Sequence, residues 1–167
     1  MNIDVNMLLE TLSEEVKEHL AESDRKEPLI IGVHTGGVWI ANALRERLAI
    51  DDPIGELNIA FYRDDFSRIG LHPTVEPSLL PFDIDDRNLI LVDDILYTGR
   101  TVRAAMNEIF DYGRPASVLL ASLVERGGRE LPIRADVVGT RLNLKASEHV
   151  KLLGPDPLRL ELSKAKI

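Results

Sequence analysis

Residues 89–101, LILVDDILYTGRT, constrain the fold of this chain more than any other segment. The four apolar residues at its start are typical of a short strand that is buried on both faces. Asp93 and Asp94 follow directly, and because ionised carboxylates are costly to bury, we expect them at the rim of a sheet. Gly99 and the helical spacing of apolar residues after position 101 predict that a helix begins here. The segment is therefore a predicted strand–loop–helix unit.

The same order occurs nearer the N-terminus, where the apolar run at residues 29–33 is followed by HTGG and by helical periodicity over residues 38–48. Strands that alternate with helices predict an α/β fold with a central, mostly parallel sheet flanked by helices. In such sheets ligands bind beyond the carboxyl ends of the strands, where both loops would lie. The first 24 residues predict an amphipathic helix. Further strands are predicted at residues 57–61, 117–124, 135–139, 149–153 and 158–162.

Length and composition are those of one globular domain, so we assign residues 1–167 to a single domain. No apolar run approaches the roughly 20 residues of a membrane span, and the acidic N-terminus does not resemble a signal peptide. Cysteine is absent, which excludes disulfides, zinc–thiolate sites and a cysteine nucleophile, and which fits a cytoplasmic protein. The net charge of −8 makes RNA a less expected partner than a small molecule, because nucleic-acid affinity rests largely on basic side chains.

The chemistry of residues 93–101 suits a ribose phosphate. Each hydroxyl of a vicinal diol donates a hydrogen bond, and the carboxylates of Asp93 and Asp94 can accept such bonds. A helix N-terminus offers unpaired backbone N–H groups and a partial positive charge, so the start of the predicted helix attracts phosphate. Gly99 lets the backbone approach an anion closely, and Thr98 and Thr101 add hydroxyl donors. Diol acceptors and a phosphate cradle are thus only a few residues apart.

Other interpretations of this segment stay open on the residues alone. Aspartates are common at strand ends, and a T-G-x-T sequence can simply cap a helix. Other nucleotide folds place an aspartate after an apolar strand to hold Mg²⁺, although this chain contains neither G-x-x-x-x-G-K-[ST] nor G-x-G-x-x-G. A phospho-acceptor aspartate of the receiver type is a further option, but it leaves the adjacent phosphate cradle unexplained.

Residues 89–101 resemble the phosphoribosyl pyrophosphate motif of type I phosphoribosyltransferases, which consists of apolar residues, two acidic residues and T-G-x-T. Three further stretches, FYRDDFS (residues 61–67), VDDILYTGRTVRAAMNEIFDYGRPASV and RGGRELPIRADVVG, resemble the pyrimidine operon regulator / uracil phosphoribosyltransferase branch. The similarity extends over residues 29–139. It implies the type I phosphoribosyltransferase fold, with a flexible lid loop at residues 63–87 and a small hood with C-terminal strands at residues 138–167.

The resemblance also implies a role for each matching position. Asp93 and Asp94 would bind the ribose hydroxyls, and Arg63, on the lid, is the candidate for a charge that reaches pyrophosphate. The other implied contacts are, for the ribose 5-phosphate, Leu96, Tyr97, Thr98, Gly99, Arg100 and Thr101; for pyrophosphate, His34, Thr35, Gly36 and Gly37; and for the base, Val138, Gly139 and Arg126.

This chain departs from its relatives in the loop that would bind pyrophosphate. Relatives commonly have Lys-Thr-Arg-Gly there, often with a strained or cis peptide bond, whereas this chain has His34-Thr35-Gly36-Gly37. One cationic side chain is replaced by histidine and another is missing, so the side-chain charge at pyrophosphate is expected to be weaker. Backbone N–H groups and Mg²⁺ can supply charge instead.

The implied reaction is uracil plus phosphoribosyl pyrophosphate giving UMP plus pyrophosphate, with Mg²⁺ held through the substrate rather than by direct protein ligands. The protein is expected to form a homo-oligomer, either a dimer or a larger assembly. A second function, from a different class, is that of a UMP-sensing, RNA-binding transcriptional attenuator of pyrimidine genes. A third is a degenerate relative that binds nucleotides but turns over slowly, which Gly36 suggests.

Overall fold

The computed structural model describes residues 2–59 and 77–165. Within these ranges the helices and strands follow in the predicted order, although the strand predicted at residues 57–61 lies at Gly55–Leu57 instead. In chain order they are α1 (Val5–Glu22), β1 (Leu29–Val33), α2 (Gly36–Arg47), β2 (Gly55–Leu57), β3 (Asn88–Leu96), α3 (Arg100–Tyr112), β4 (Ser117–Arg126), β5 (Val137–Leu142), β6 (Glu148–Leu153) and β7 (Arg159–Lys164).

Five strands form one sheet in the order β2-β1-β3-β4-β5, and every neighbouring pair is parallel. Successive residues of a strand point to opposite faces. In β1 and β3, Ile30 and Ile90 therefore pack with α1 and α2 on one face, whereas Ile31 and Leu91 pack with α3 on the other. Because the apolar runs are continuous, they supply buried side chains to both faces of the sheet. This confirms the predicted α/β sheet flanked by helices.

Strand β3 is longer than the sequence predicts. We expected it to end at Val92, but it continues to Leu96, because β4 runs alongside and pairs with Asp93, Ile95 and Leu96. Pairing with β1 on the other side stops at Val92. The two aspartates therefore lie within the strand, in the part that projects beyond β1, and not in the loop that follows.

The expected lid at residues 63–87 falls largely outside the described residues, and Arg63 lies among those that are not described. Its described end, residues 77–87, packs against the sheet. Leu79 exchanges two backbone hydrogen bonds with Glu56 of β2, at 2.7 and 2.8 Å, and Ile84 is buried in the core beside α3.

The segment expected to form the hood has two parts. Residues 138–142 belong to β5 and thus to the central sheet. Strands β6 and β7 form a separate antiparallel hairpin, whose Leu152 is buried in the core cluster with α1 and α2. Among the described residues, no helix is both long enough and apolar enough to cross a membrane.

Candidate functional site

The loops after β1 and β3 meet at the carboxyl edge of the sheet, because these strands are parallel neighbours. Gly36 and Gly37, the first residues of α2, lie directly against the projecting part of β3. A Cβ atom on Gly37 would lie 2.6 Å from the Val92 carbonyl oxygen, and one on Gly36 would overlap the Asp94 carboxylate, whose Cγ would be 2.6 Å away. At Gly37 the close atom is backbone, which excludes a side chain, whereas at Gly36 a side chain would require the Asp94 carboxylate to move. The two predicted loops therefore form one site.

The acidic pair forms the centre of this site. Asp93 is buried, with 4% of its surface exposed, and Asp94 is half-buried. One oxygen of each carboxylate accepts a hydrogen bond from the next backbone N–H: Asp94 N to Asp93 Oδ1 at 3.0 Å, and Ile95 N to Asp94 Oδ1 at 2.9 Å. These bonds fix the rotation of both carboxylates. The second oxygen of Asp94 points toward Gly36.

Residues 96–101, the predicted phosphate loop, form a turn that ends in a helix N-terminus, as the sequence predicts. Gly99 has φ = 95°, in the left-handed region that favours glycine, and α3 begins at Arg100. The Arg100 N–H donates to Thr98 Oγ1 at 3.2 Å. Leu96 is buried in the core, so only its backbone is available to a ligand. A cavity of about 110 Å³ is enclosed here by Asp93, Ile95, Leu96, Tyr97, Thr98, Gly99, Thr101 and Val102.

The loop after β1 contains a cis peptide bond between His34 and Thr35, which agrees with the expectation from the resemblance. The His34 side chain turns toward β2, where its Nε2 lies 2.9 Å from Glu56 Oε1. The His34 backbone N–H also donates to the Leu57 carbonyl, at 2.9 Å. Glu56 was not predicted as a neighbour of the site. Its pairing with β1 depends on strand register, which no local motif indicates.

The expected base-site residues do not share one surface. Arg126, at the end of β4, lines an open cavity of about 530 Å³ together with Glu125, Gly127, Gly128, Arg129, Arg134, Ala135, Arg141, Leu142 and Asn143. Val138 is buried in β5 and is not part of that lining. A Cβ atom on Gly139 would lie 2.6 Å from the Leu123 carbonyl oxygen and 3.3 Å from Leu8 of α1, so Gly139 is in close contact with that helix.

Residues that could bind a metal ion directly are few. Among the described residues, no three His, Cys, Asp or Glu side chains are grouped closely enough to hold an ion. Asp93 and Asp94 still present carboxylate oxygens at the site, and such oxygens are the ligands that Mg²⁺ prefers. Because Mg²⁺ commonly binds phosphate oxygens and needs few protein carboxylates, the residues present fit an ion that is held mainly through the substrate.

Comparison with known proteins identifies the family. The profile of the phosphoribosyl transferase domain matches residues 3–155. Over 164 residues the chain is 59% identical to Bifunctional protein PyrR of Nitrosococcus oceani, covering 97% of this chain and 93% of that protein. The chain therefore belongs to the phosphoribosyltransferases, in their PyrR branch. It is also 55% identical over 154 residues to Bifunctional protein PyrR of Pseudomonas aeruginosa, covering 92% of this chain and 91% of that protein.

Solved phosphoribosyltransferases share this architecture. The purine phosphoribosyltransferase from Pyrococcus horikoshii superimposes with a TM-score of 0.62 at 25% identity, over 83% of this chain and 82% of that chain. A hypoxanthine-guanine phosphoribosyltransferase from Bacillus anthracis gives a TM-score of 0.65 at 21% identity, over 85% and 83% of the two chains. The predicted type I phosphoribosyltransferase fold is confirmed.

Proposed function

We propose that this PyrR-branch protein is a uracil phosphoribosyltransferase, which converts uracil and phosphoribosyl pyrophosphate to UMP and pyrophosphate. The observation that carries the proposal is the shared cavity at the end of β3. Asp93 and the phosphate-loop residues Thr98, Gly99 and Thr101 line the same enclosure. Acceptors for ribose hydroxyls and donors for a phosphate thus line one cavity, as binding of a sugar phosphate requires.

Each part of the substrate has proposed contacts. Asp93 and Asp94 accept hydrogen bonds from the ribose hydroxyls, and the backbone N–H groups of residues 96–101 bind the 5-phosphate. The remaining proposed contacts are His34, Thr35, Gly36 and Gly37, with Arg63, for pyrophosphate, and Val138, Gly139 and Arg126 for the base. The cytoplasm, where these phosphorylated ligands occur, is the proposed location, in keeping with the absence of cysteine.

In the proposed reaction, uracil N1 bonds to the ribose C1, the bond from C1 to the pyrophosphate oxygen breaks, and the N1 proton is released. Positive charge develops on the ribose, and fixed carboxylates beside it stabilise that charge without reorganising. Mg²⁺, held at the site together with the substrate, would supply positive charge that neutralises the leaving group. The backbone of α2 adds partial positive charge at Gly36 and Gly37, because these residues form its N-terminus.

The proposal predicts UMP formation from phosphoribosyl pyrophosphate and uracil in the presence of Mg²⁺. Orotate, hypoxanthine and adenine serve as competing bases in matched reactions, with product separated by chromatography. We expect turnover with uracil and at least tenfold lower kcat/KM with each other base, because a base that does not match the pocket leaves polar groups unpaired. Turnover of hypoxanthine or adenine in place of uracil would contradict the assigned base, and no product with any base would contradict the enzyme.

A second candidate function, UMP-dependent RNA binding, is favoured by the cavity at the ends of β4 and β5. Four arginines, Arg126, Arg129, Arg134 and Arg141, line it, against the single acidic residue Glu125. This is a local basic surface in a chain whose net charge is −8. Arg129 and Arg134 are exposed and so accessible to phosphates. Both functions together agree with the word bifunctional in the relatives' name.

An RNA titration with and without UMP tests this second function. If Arg129 and Arg134 bind phosphates, changing each to Gln should weaken RNA binding. It should also make the slope of log affinity against log salt concentration shallower, by about one unit for each phosphate that is no longer neutralised. Arg159→Gln, an exposed arginine on β7, is the matched control and should leave the slope unchanged. If the affinity for RNA depended neither on UMP nor on the two arginines, the attenuator function would be excluded.

A further inference from the structure

The phosphate loop is held from the side by a support loop, residues 128–133, which follows β4. The backbone N–H groups of Glu130 and Leu131 both donate to the Thr98 carbonyl, at 3.0 and 3.1 Å. The Arg100 guanidinium donates to Glu130 Oε2, at 3.0 Å from Nη2 and 3.2 Å from Nε. These contacts join two segments that are 30 residues apart in the sequence. The position of the phosphate loop therefore depends on the support loop.

Tyr97, in the phosphate loop, packs between Arg126 and Gly128. The Arg126 Cζ lies 4.0 Å from the centre of the tyrosine ring, which is a stacking distance. Gly128 has φ = 111°, in the left-handed region that favours glycine, and a Cβ atom there would also lie 2.5 Å from Tyr97 Cε2, so a side chain at this position would displace the ring. The neighbouring Gly127 differs, because a Cβ atom there would meet only Asn143 Oδ1, at 3.6 Å.

Arg126 is an unusual residue to find buried, with only 7% of its surface exposed. Its Nη2 donates to the Lys145 carbonyl at 3.4 Å, and its Nε is buried without a hydrogen-bond partner. A buried cation is costly unless its environment compensates. The face of the Tyr97 ring supplies that compensation, because its quadrupole attracts a cation. The stacking contact therefore links the buried Arg126 to the phosphate loop.

We propose that Arg126 and Gly128 are positioning residues, which hold the phosphate loop in its binding conformation through the Tyr97 ring. The proposal rests on the function proposed above, in which this loop binds the 5-phosphate, and it gives Arg126 a role besides its proposed contact with the base. Because both residues act through Tyr97, replacing either should raise KM for phosphoribosyl pyrophosphate. Replacing Gly128 should leave KM for uracil unchanged.

The first test compares Gly128→Ala with Gly127→Ala, with separate KM values for the two substrates. For Gly128→Ala we expect KM for phosphoribosyl pyrophosphate to rise about tenfold, the scale of removing one desolvated cation–π interaction, while KM for uracil stays within about twofold. Gly127→Ala should match the wild type. Equal effects of the two alanines, or equal rises in both KM values, would overturn the proposal.

A second test shows whether the effect passes through the ring. Tyr97 is 42% exposed, so Tyr97→Leu should fold normally while removing the ring. Residues that act as one unit are non-additive, so adding Gly128→Ala to Tyr97→Leu should raise KM for phosphoribosyl pyrophosphate no further. Arg126→Lys keeps the charge but removes the planar face, and should raise that KM as well. Independent, multiplicative effects of Gly128→Ala and Tyr97→Leu would overturn the proposal.

The same measurements separate this inference from the function on which it rests. Calorimetric titration of the wild type with phosphoribosyl pyrophosphate and Mg²⁺ is the reference. A wild type that binds this ligand and forms UMP, with variants that behave identically, would refute the positioning role alone. A wild type that neither binds it nor forms UMP would refute both. A melting temperature for each variant shows whether the increased KM reflects the loop or partial unfolding.

Discussion

Replacing Asp94 with Asn is expected to lower kcat/KM for phosphoribosyl pyrophosphate about a hundredfold, the scale of removing one or two hydrogen bonds to a charged group. The carboxylate can accept from two hydroxyls, whereas the amide retains one acceptor and presents a donor to the other hydroxyl. The fold should be unaffected, because the amide oxygen can still accept the hydrogen bond from the Ile95 N–H at 2.9 Å.

Asp111→Asn provides the matched control for this change. Asp111 is an exposed residue on α3, so the substitution removes the same charge away from the site. We expect its steady-state constants to equal those of the wild type. Initial rates at varied phosphoribosyl pyrophosphate and saturating uracil give the comparison. If Asp94→Asn had the same kcat/KM as the control, Asp94 would not bind the ribose.

The second large effect is expected at Gly36, where introducing a side chain, arginine included, should lower activity. Any side chain at this position overlaps the Asp94 carboxylate, whose Cγ would be only 2.6 Å from the new Cβ atom. Overpacking of this kind typically costs about 1–3 kcal/mol, so Gly36→Ala should lower kcat/KM for phosphoribosyl pyrophosphate about tenfold or more. Gly36→Arg should be no better than Gly36→Ala, despite its added charge.

The physical cause of this effect can be isolated by a double variant. Because the alanine acts by displacing Asp94, Gly36→Ala should add little to the reduction already caused by Asp94→Asn. Gly127→Ala, at a glycine with open space around it, is the control for glycine replacement in general. An increase in kcat/KM with Gly36→Arg would show that the missing charge, rather than the close contact with Asp94, governs the pyrophosphate loop.

The sequence by itself determined the buried strands, the turn at residues 96–101 and the helix that follows it. The apolar runs at β1 and β3 must be buried on both faces, which requires helices above and below. Gly99 adopts the left-handed conformation just before α3, and the helix begins at the next residue, Arg100. These features are local, because periodicity, backbone freedom and helix termini depend on neighbouring residues. The resemblance carried by the same residues also led to the correct family.

Only the tertiary structure decided what surrounds these features. From the sequence, Gly36 is a missing cation, but in the fold it is the glycine that makes room for Asp94, which lies far along the chain on β3. His34 was expected at pyrophosphate, yet its side chain contacts Glu56 of the neighbouring strand. Arg126 stacks on Tyr97 because β4 runs beside β3. Such contacts depend on strand order and register, which are set by the packing of the whole sheet and not by any one segment.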